Sequence, residues 1–115
     1  MSTRSSLRAM AEPESSAPLF AALGDKTRLR LVSRLCDDGP MSITGLTSNF
    51  DVTRQAITKH LHVMEEAGLV CSTRHGRERV WRLSQQRLEE ARRCLDLISE
   101  QWDDALGRLR GLVED

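Results

Sequence analysis

The sequence predicts a mainly α fold with one small β-hairpin, on three observations. Most apolar residues recur at steps of three and four, in segments opened by Asp, Ser or Thr and closed by Gly. Only residues 69–83 alternate and turn at a glycine, as a hairpin does. The chain has 115 residues, enough for one modest core and hence for one domain.

Composition narrows the function classes. Hydrophobic residues make up 39% and charged residues 30%, so the chain can bury a core. Two Trp, two Phe and no Tyr are too few aromatics for a stacking platform on single-stranded nucleic acid. No apolar run is long enough to span a bilayer. Three cysteines, an odd number without a pairing motif, argue against a disulfide scaffold and for a reducing compartment. The chain is electrically neutral, with 17 basic and 17 acidic residues, but the charges are unevenly placed. Residues 52–82 hold Arg54, Lys59, Arg74, Arg77, Arg79 and Arg82 against Glu65, Glu66 and Glu78, a local excess of +3. Residues 83–115 carry a matching acidic excess, so the middle of the chain presents a basic surface that the average hides.

Taken in order, residues 1–16 are Ser-rich and lack apolar periodicity, and they read as a disordered arm. They contain no apolar stretch of the kind a secretory signal needs, and Glu12, Pro13 and Glu14 interrupt any transit-peptide helix. Pro18 opens a short helix with Leu19, Phe20 and Leu23 on one face, closed by Gly24. Asp25 caps a second helix from Lys26 to about Cys36, with Leu29, Val32 and Leu35 inward, stopped at Gly39-Pro40. Ser42 caps a short third helix to about Asn49, with Ile43, Leu46 and Phe50 inward. Gly45 and two Thr make that helix weak on its own. The chain then turns near Asp51, a residue type that tolerates the left-handed region. Thr53 caps a fourth helix, over about 53–67, whose inward stripe is Ile57, Leu61, Met64 and Ala67 and whose stop is Gly68. The hairpin follows over 69–83, turning at His75-Gly76. A last helix, about 85–113, carries Leu88, Ala91, Leu95, Ile98, Trp102, Leu106 and Leu109 at alternating steps of three and four. That helix spans about 40 Å, more than so small a domain needs, and two copies packing the stripe together would cover it.

Short helix, tight turn, capped helix and basic hairpin form a helix-turn-helix followed by a wing. Aliphatics glue one face of the fourth helix to the core, leaving the other free for a DNA major groove. That free face carries Thr53, Arg54, Gln55, Thr58, Lys59 and His62, and its acids, Glu65 and Glu66, stand only at the far end. Gln55 suits adenine, Arg54 or Lys59 suits guanine, and the Thr58 methyl suits a thymine methyl. Arg74 and Arg77 flank the hairpin turn, where they can follow phosphates or enter a minor groove.

Over residues 18–113 the strings LFAALGDKTRLRLVSRL, VTRQAITKHLHVMEEAGLV and GRERVWRLS resemble the ArsR-type family of winged helix-turn-helix transcriptional regulators. The resemblance implies a winged helix-turn-helix with a long C-terminal dimerisation helix. It further implies a cytoplasmic homodimer that binds double-stranded promoter DNA at an inverted repeat, usually as a repressor. By the same resemblance Thr53, Arg54, Gln55, Thr58, Lys59 and His62 fall on the recognition helix and Arg74 and Arg77 on the wing. The chain departs from the family at Lys26, Gly45 and Asp51, where Pro, Glu and Gly are usual. Family metal sites on the third and last helices have no counterpart, because residues 42–50 lack Cys and His and residues 84–115 lack His. His60 and His62 stand about 200° apart around a helix and cannot share an ion. Some relatives pair cysteines between the second and last helices, so a Cys36–Cys94 redox switch is one alternative. A winged-helix module that binds protein in place of DNA is another. No phosphate loop, activated nucleophile or carboxylate pair suggests an enzyme, no cofactor motif is present, and no effector is legible.

Overall fold

The computed structural model describes residues 13–114. Its elements are α1 (Pro13–Leu23), α2 (Lys26–Asp38), β1 (Met41–Ser42), α3 (Ile43–Thr47), α4 (Arg54–Glu66), β2 (Val70–His75), β3 (Glu78–Leu83) and α5 (Gln85–Glu114). The mainly α class with a small antiparallel sheet is therefore the observed one. The hairpin gains a third strand absent from the sequence reading: β1 pairs with β3, Met41 opposite Trp81, giving the order β1-β3-β2.

The proposed arm is corrected at its end. Residues 13–16 are helical, and the part of that expectation covering 1–12 lies outside the described residues. Ser16, Leu19 and Ala22 share one face of α1 and are buried, while Pro18 sits inside the helix on its exposed side. Packing of that face outweighs the backbone hydrogen bond that proline cannot make.

α2 begins at Asp25, whose carboxylate accepts from the Arg28 N–H at 3.0 Å. Its inward stripe is Leu31 and Leu35, four apart; Leu29, expected inward, is 51% exposed. Leu29 and Leu31 lie roughly 200° apart on a helix, so only one of them can face the core. α3 is shorter than expected, and the left-handed residue of the turn is Asn49 (φ 66°), not Asp51. A Cβ on Gly45 would lie 3.0 Å from Met41 Cε, the tip of a flexible side chain.

α4 is fastened at both ends. The Thr53 hydroxyl accepts from the Ala56 N–H at 3.2 Å. At the other end Gly68 adopts φ 79° and donates to Glu65 O, while Leu69 N–H reaches back to Met64 O, the paired bonds of a Schellman stop. Ile57, Leu61 and Met64 are fully buried and meet Leu19, Leu31, Leu46 and Leu69 in one core. In the hairpin, His75 belongs to β2 and the turn is Gly76-Arg77, closed by His75 opposite Glu78. Gly76 alone has positive φ (64°) there, as a turn with glycine at its first central position requires.

α5 divides in two. Its first turns pack against α1, burying Ala91 and Cys94 and half-burying Leu88. From Leu95 onward the apolar residues face solvent: Leu95 is 54% exposed, Trp102 64% and Leu112 78%. At 30 residues the helix is about 45 Å long, and more than half of it extends past its own core.

Candidate nucleic-acid interface

α4 and the hairpin enclose a groove of about 260 Å³. Arg54, Thr58 and His62 line it from α4, Ser42 and Thr44 from the start of α3, and Arg77, Glu78, Arg79 and Trp81 from the hairpin. Three guanidinium groups thus face one carboxylate across it. Arg54, Thr58 and His62 are four apart, so successive helical turns aim them at the same wall.

The outward side of α4 holds Gln55 and Lys59, both exposed. Among the described residues, the side chains of Arg54, Gln55, Lys59 and Arg77 make no hydrogen bond or ion pair within the protein. Their donors remain free for an external acceptor. Thr58 differs: its hydroxyl donates to Arg54 O at 2.9 Å, so its one proton is already committed. Thr53 is occupied by the helix cap. His62 stands edge-on to Trp81, with ring centroids 5.9 Å apart, and its Nδ1 lies 3.5 Å from Glu65 Oε1. Trp81 is itself buried, so the His62–Trp81 contact ties the recognition helix to the hairpin.

At the hairpin tip the Arg74 guanidinium donates to Gly76 O, and Arg77 in the turn is exposed. Arg79 donates to Ser72 Oγ at 2.9 Å and is held along the strand toward the groove. Arg79, Ser42 and Thr44 join this site without having been expected in it. Ser42 closes β1 and Thr44 follows in the first turn of α3, and a strand of two residues is too short to show an alternating pattern.

His60 faces the body of the protein. Arg28 donates to Ala22 O at 2.6 Å, and its Nη1 lies 3.3 Å from His60 Nδ1. Asp25 Oδ2 lies 3.8 Å from the same nitrogen. The Arg28 N–H that Asp25 accepts, with the nearby Arg28 guanidinium, lowers the Asp25 pKa below the ordinary carboxylate value. This cluster joins α1, α2 and α4 and lies away from the groove.

Cys36 is exposed and Cys94 buried, and both are free thiols. Among the described residues no three His, Cys, Asp or Glu side chains gather as a metal-binding group. No described helix is long and apolar enough to cross a membrane.

A two-helix motif whose second helix is pinned from behind, flanked by a basic hairpin, defines a winged helix-turn-helix DNA-binding domain. A helix-turn-helix domain family model matches residues 23–72. The chain is 36% identical over 95 residues to the HTH-type transcriptional regulator Rv2034 of Mycobacterium tuberculosis, covering 83% of this chain and 85% of that protein. It is 44% identical over 68 residues to the uncharacterized HTH-type transcriptional regulator YuzN of Bacillus subtilis, covering 54% of this chain and 74% of that one. Among solved structures it resembles an ArsR-like transcriptional regulator from Rhodococcus sp. RHA1, with TM-score 0.73, 34% identity and coverage of 86% and 92% of the two chains. The chain belongs to the ArsR-type family of winged helix-turn-helix transcriptional regulators.

Proposed function

We propose that this regulator is a homodimeric, sequence-specific repressor that binds an inverted-repeat operator in double-stranded DNA in the cytoplasm. The observation that carries this reading is the free face of α4. Arg54, Gln55 and Lys59 project from a helix locked to the core, their donors unused, beside a groove that Arg77 and Arg79 close from the wing. In this reading Arg54, Gln55, Thr58 and Lys59 meet base edges. Thr53, Arg74 and Arg77 meet phosphates or the minor groove, and His62 sits between helix and wing. Arg79, Ser42 and Thr44 extend the phosphate-facing wall.

The apolar residues of α5 from Leu95 through Ile98, Trp102, Leu106 and Leu109 form the dimer seam. Leu88 and Ala91, the first two of the expected stripe, are engaged in the protomer's own core. A twofold pair would set the recognition helices about 34 Å apart, one DNA turn. Duplexes selected from random DNA, titrated by fluorescence anisotropy, test the reading. The expected results are an inverted repeat, loss of binding on shuffling, and affinity that falls steeply with salt. Equal affinity for shuffled DNA would reject it.

A further inference from the structure

The contact between α5 and the end of α4 rests on one side chain. Arg87, in the first turn of α5, donates through Nε and Nη2 to Ala67 O at 3.3 and 3.2 Å. Ala67 is the C-cap of α4, where unpaired carbonyls carry the negative end of the helix dipole. The remaining arm of the guanidinium, Nη1, is held by the Glu90 carboxylate one turn along α5. Both side chains are well covered, at 27% and 15% exposure. Gly68 makes room for them: a Cβ there would lie 3.1 Å from Arg87 Nε. Beside this clamp, Ser84 N–H donates to Leu69 O at 2.8 Å, and Ser84 Oγ accepts from the Arg87 N–H at 3.3 Å. The end of α4 and the base of α5 are thus one hydrogen-bonded block.

We infer that Arg87 is a positioning residue: it sets the angle between the dimer helix and the recognition helix, and so the half-site separation the regulator accepts. The inference deepens the dimeric DNA-binding reading and rests on it. α4 is about 20 Å long, so a rotation of about 10° of the winged-helix body about the clamp, with α4 fixed in it, moves the far end of α4 roughly 3.5 Å, about one base-pair step. With the clamp intact, an operator with its half-sites one base pair too close or too far meets helices that cannot follow. Without it, each winged-helix body, with α4 fixed inside it, tilts on α5 and the mismatch is tolerated.

The test uses the full chain and the selected operator, with half-site separation changed by one base pair in either direction. Wild type should lose about tenfold or more in affinity for the altered spacings. Arg87→Gln should narrow that loss to about threefold or less, with the dimer intact by sedimentation and isolated half-site affinity within about twofold of wild type. Arg87→Lys, which retains a cationic donor for the carbonyl, should fall between the two. A purely structural role would lower melting temperature and leave the spacing profile of the folded protein unchanged. Should Arg87→Gln not fold, Arg87→Lys and Glu90→Gln supply the same comparison. A spacing profile as sharp as wild type in the folded variants overturns the inference. A wild-type chain that is monomeric, or that binds no selected duplex, overturns the DNA-binding reading first and the inference with it.

Discussion

α4 and the outer half of α5 bear the same kind of pattern, an aliphatic stripe at steps of three and four, and meet opposite fates. In α4, Ile57, Leu61 and Met64 are sealed in the core. In α5, Leu95, Ile98, Trp102 and Leu109 remain in water. The difference lies in what surrounds each helix. α4 is packed by α1, α2 and α3 and by the hairpin, whereas α5 is packed at its base, chiefly by α1, and from Leu95 onward its apolar side chains are exposed. An amphipathic stripe states that a face must be covered; it does not say by what. One stripe holds the recognition helix to its protomer, and the other is free to hold two protomers together.

The sharpest way to break this comparison is to cut into the α4 stripe. Leu61→Ala should cost about 2–5 kcal/mol of folding stability, because a fully buried leucine leaves a cavity its neighbours only partly fill. Urea unfolding measures it; a loss below about 1 kcal/mol would mean that α4 is not pinned as described.

The matching change on α5 should leave the fold and remove the dimer. Leu95→Asp places a charge on the exposed stripe, so the monomer should keep its melting transition while sedimentation shows single chains. Operator affinity should fall with it, since one half-site lacks the second recognition helix. Trp102, now 64% exposed, supplies a direct probe: its emission should shift to the red on dilution of wild type, and the variant should start there. An intact dimer in Leu95→Asp contradicts the seam.

Smaller effects are expected on the free face of α4. Arg54→Ala or Lys59→Ala should weaken operator binding by about 1–3 kcal/mol where the side chain reads a base, with folding unchanged. If it meets phosphate instead, specific and shuffled DNA should lose affinity alike and the salt slope should fall by about one. Thr53→Ala should cost about 1 kcal/mol of stability through the lost cap, seen as a lower urea midpoint.

The smallest change is acid-dependent. The Asp25 carboxylate is lowered in the folded state, so its contribution is full above the unfolded carboxylate pKa and is lost as pH falls through the lower folded value. Asp25→Asn should therefore flatten a small part of the acid limb below about pH 4 and leave the neutral side little altered in slope. A pH–stability profile identical in slope to wild type across that window would show the Arg28 N–H bond to be inconsequential.

Local chemistry was legible wherever one residue and its near neighbours decide the outcome. The caps at Asp25, Ser42 and Thr53, the stop at Gly68 and the stripe of α4 follow from hydrogen bonds and spacings within a few positions. So do the basic wing and the free, acid-poor first turns of the recognition helix. Where the reading failed, a distant partner had decided. Residues 13–16 are helical because Ser16 is covered in the fold. Leu31 displaced Leu29 because the core lies on its side of α2. β1 exists because β3 offers it an edge.

The sequence by itself determined the order of elements, their polarity and the face of α4 that could be left free, since these rest on short-range periodicity and backbone hydrogen bonding. Only the tertiary structure decided which part of the α5 stripe is already spoken for, and that Arg54, Arg77 and Arg79 share one groove. It alone brought Arg87 onto the carbonyl of Ala67, twenty residues away in sequence. Such contacts join side chains from separate elements, and their distances are set by how the core packs, not by any pattern along the chain.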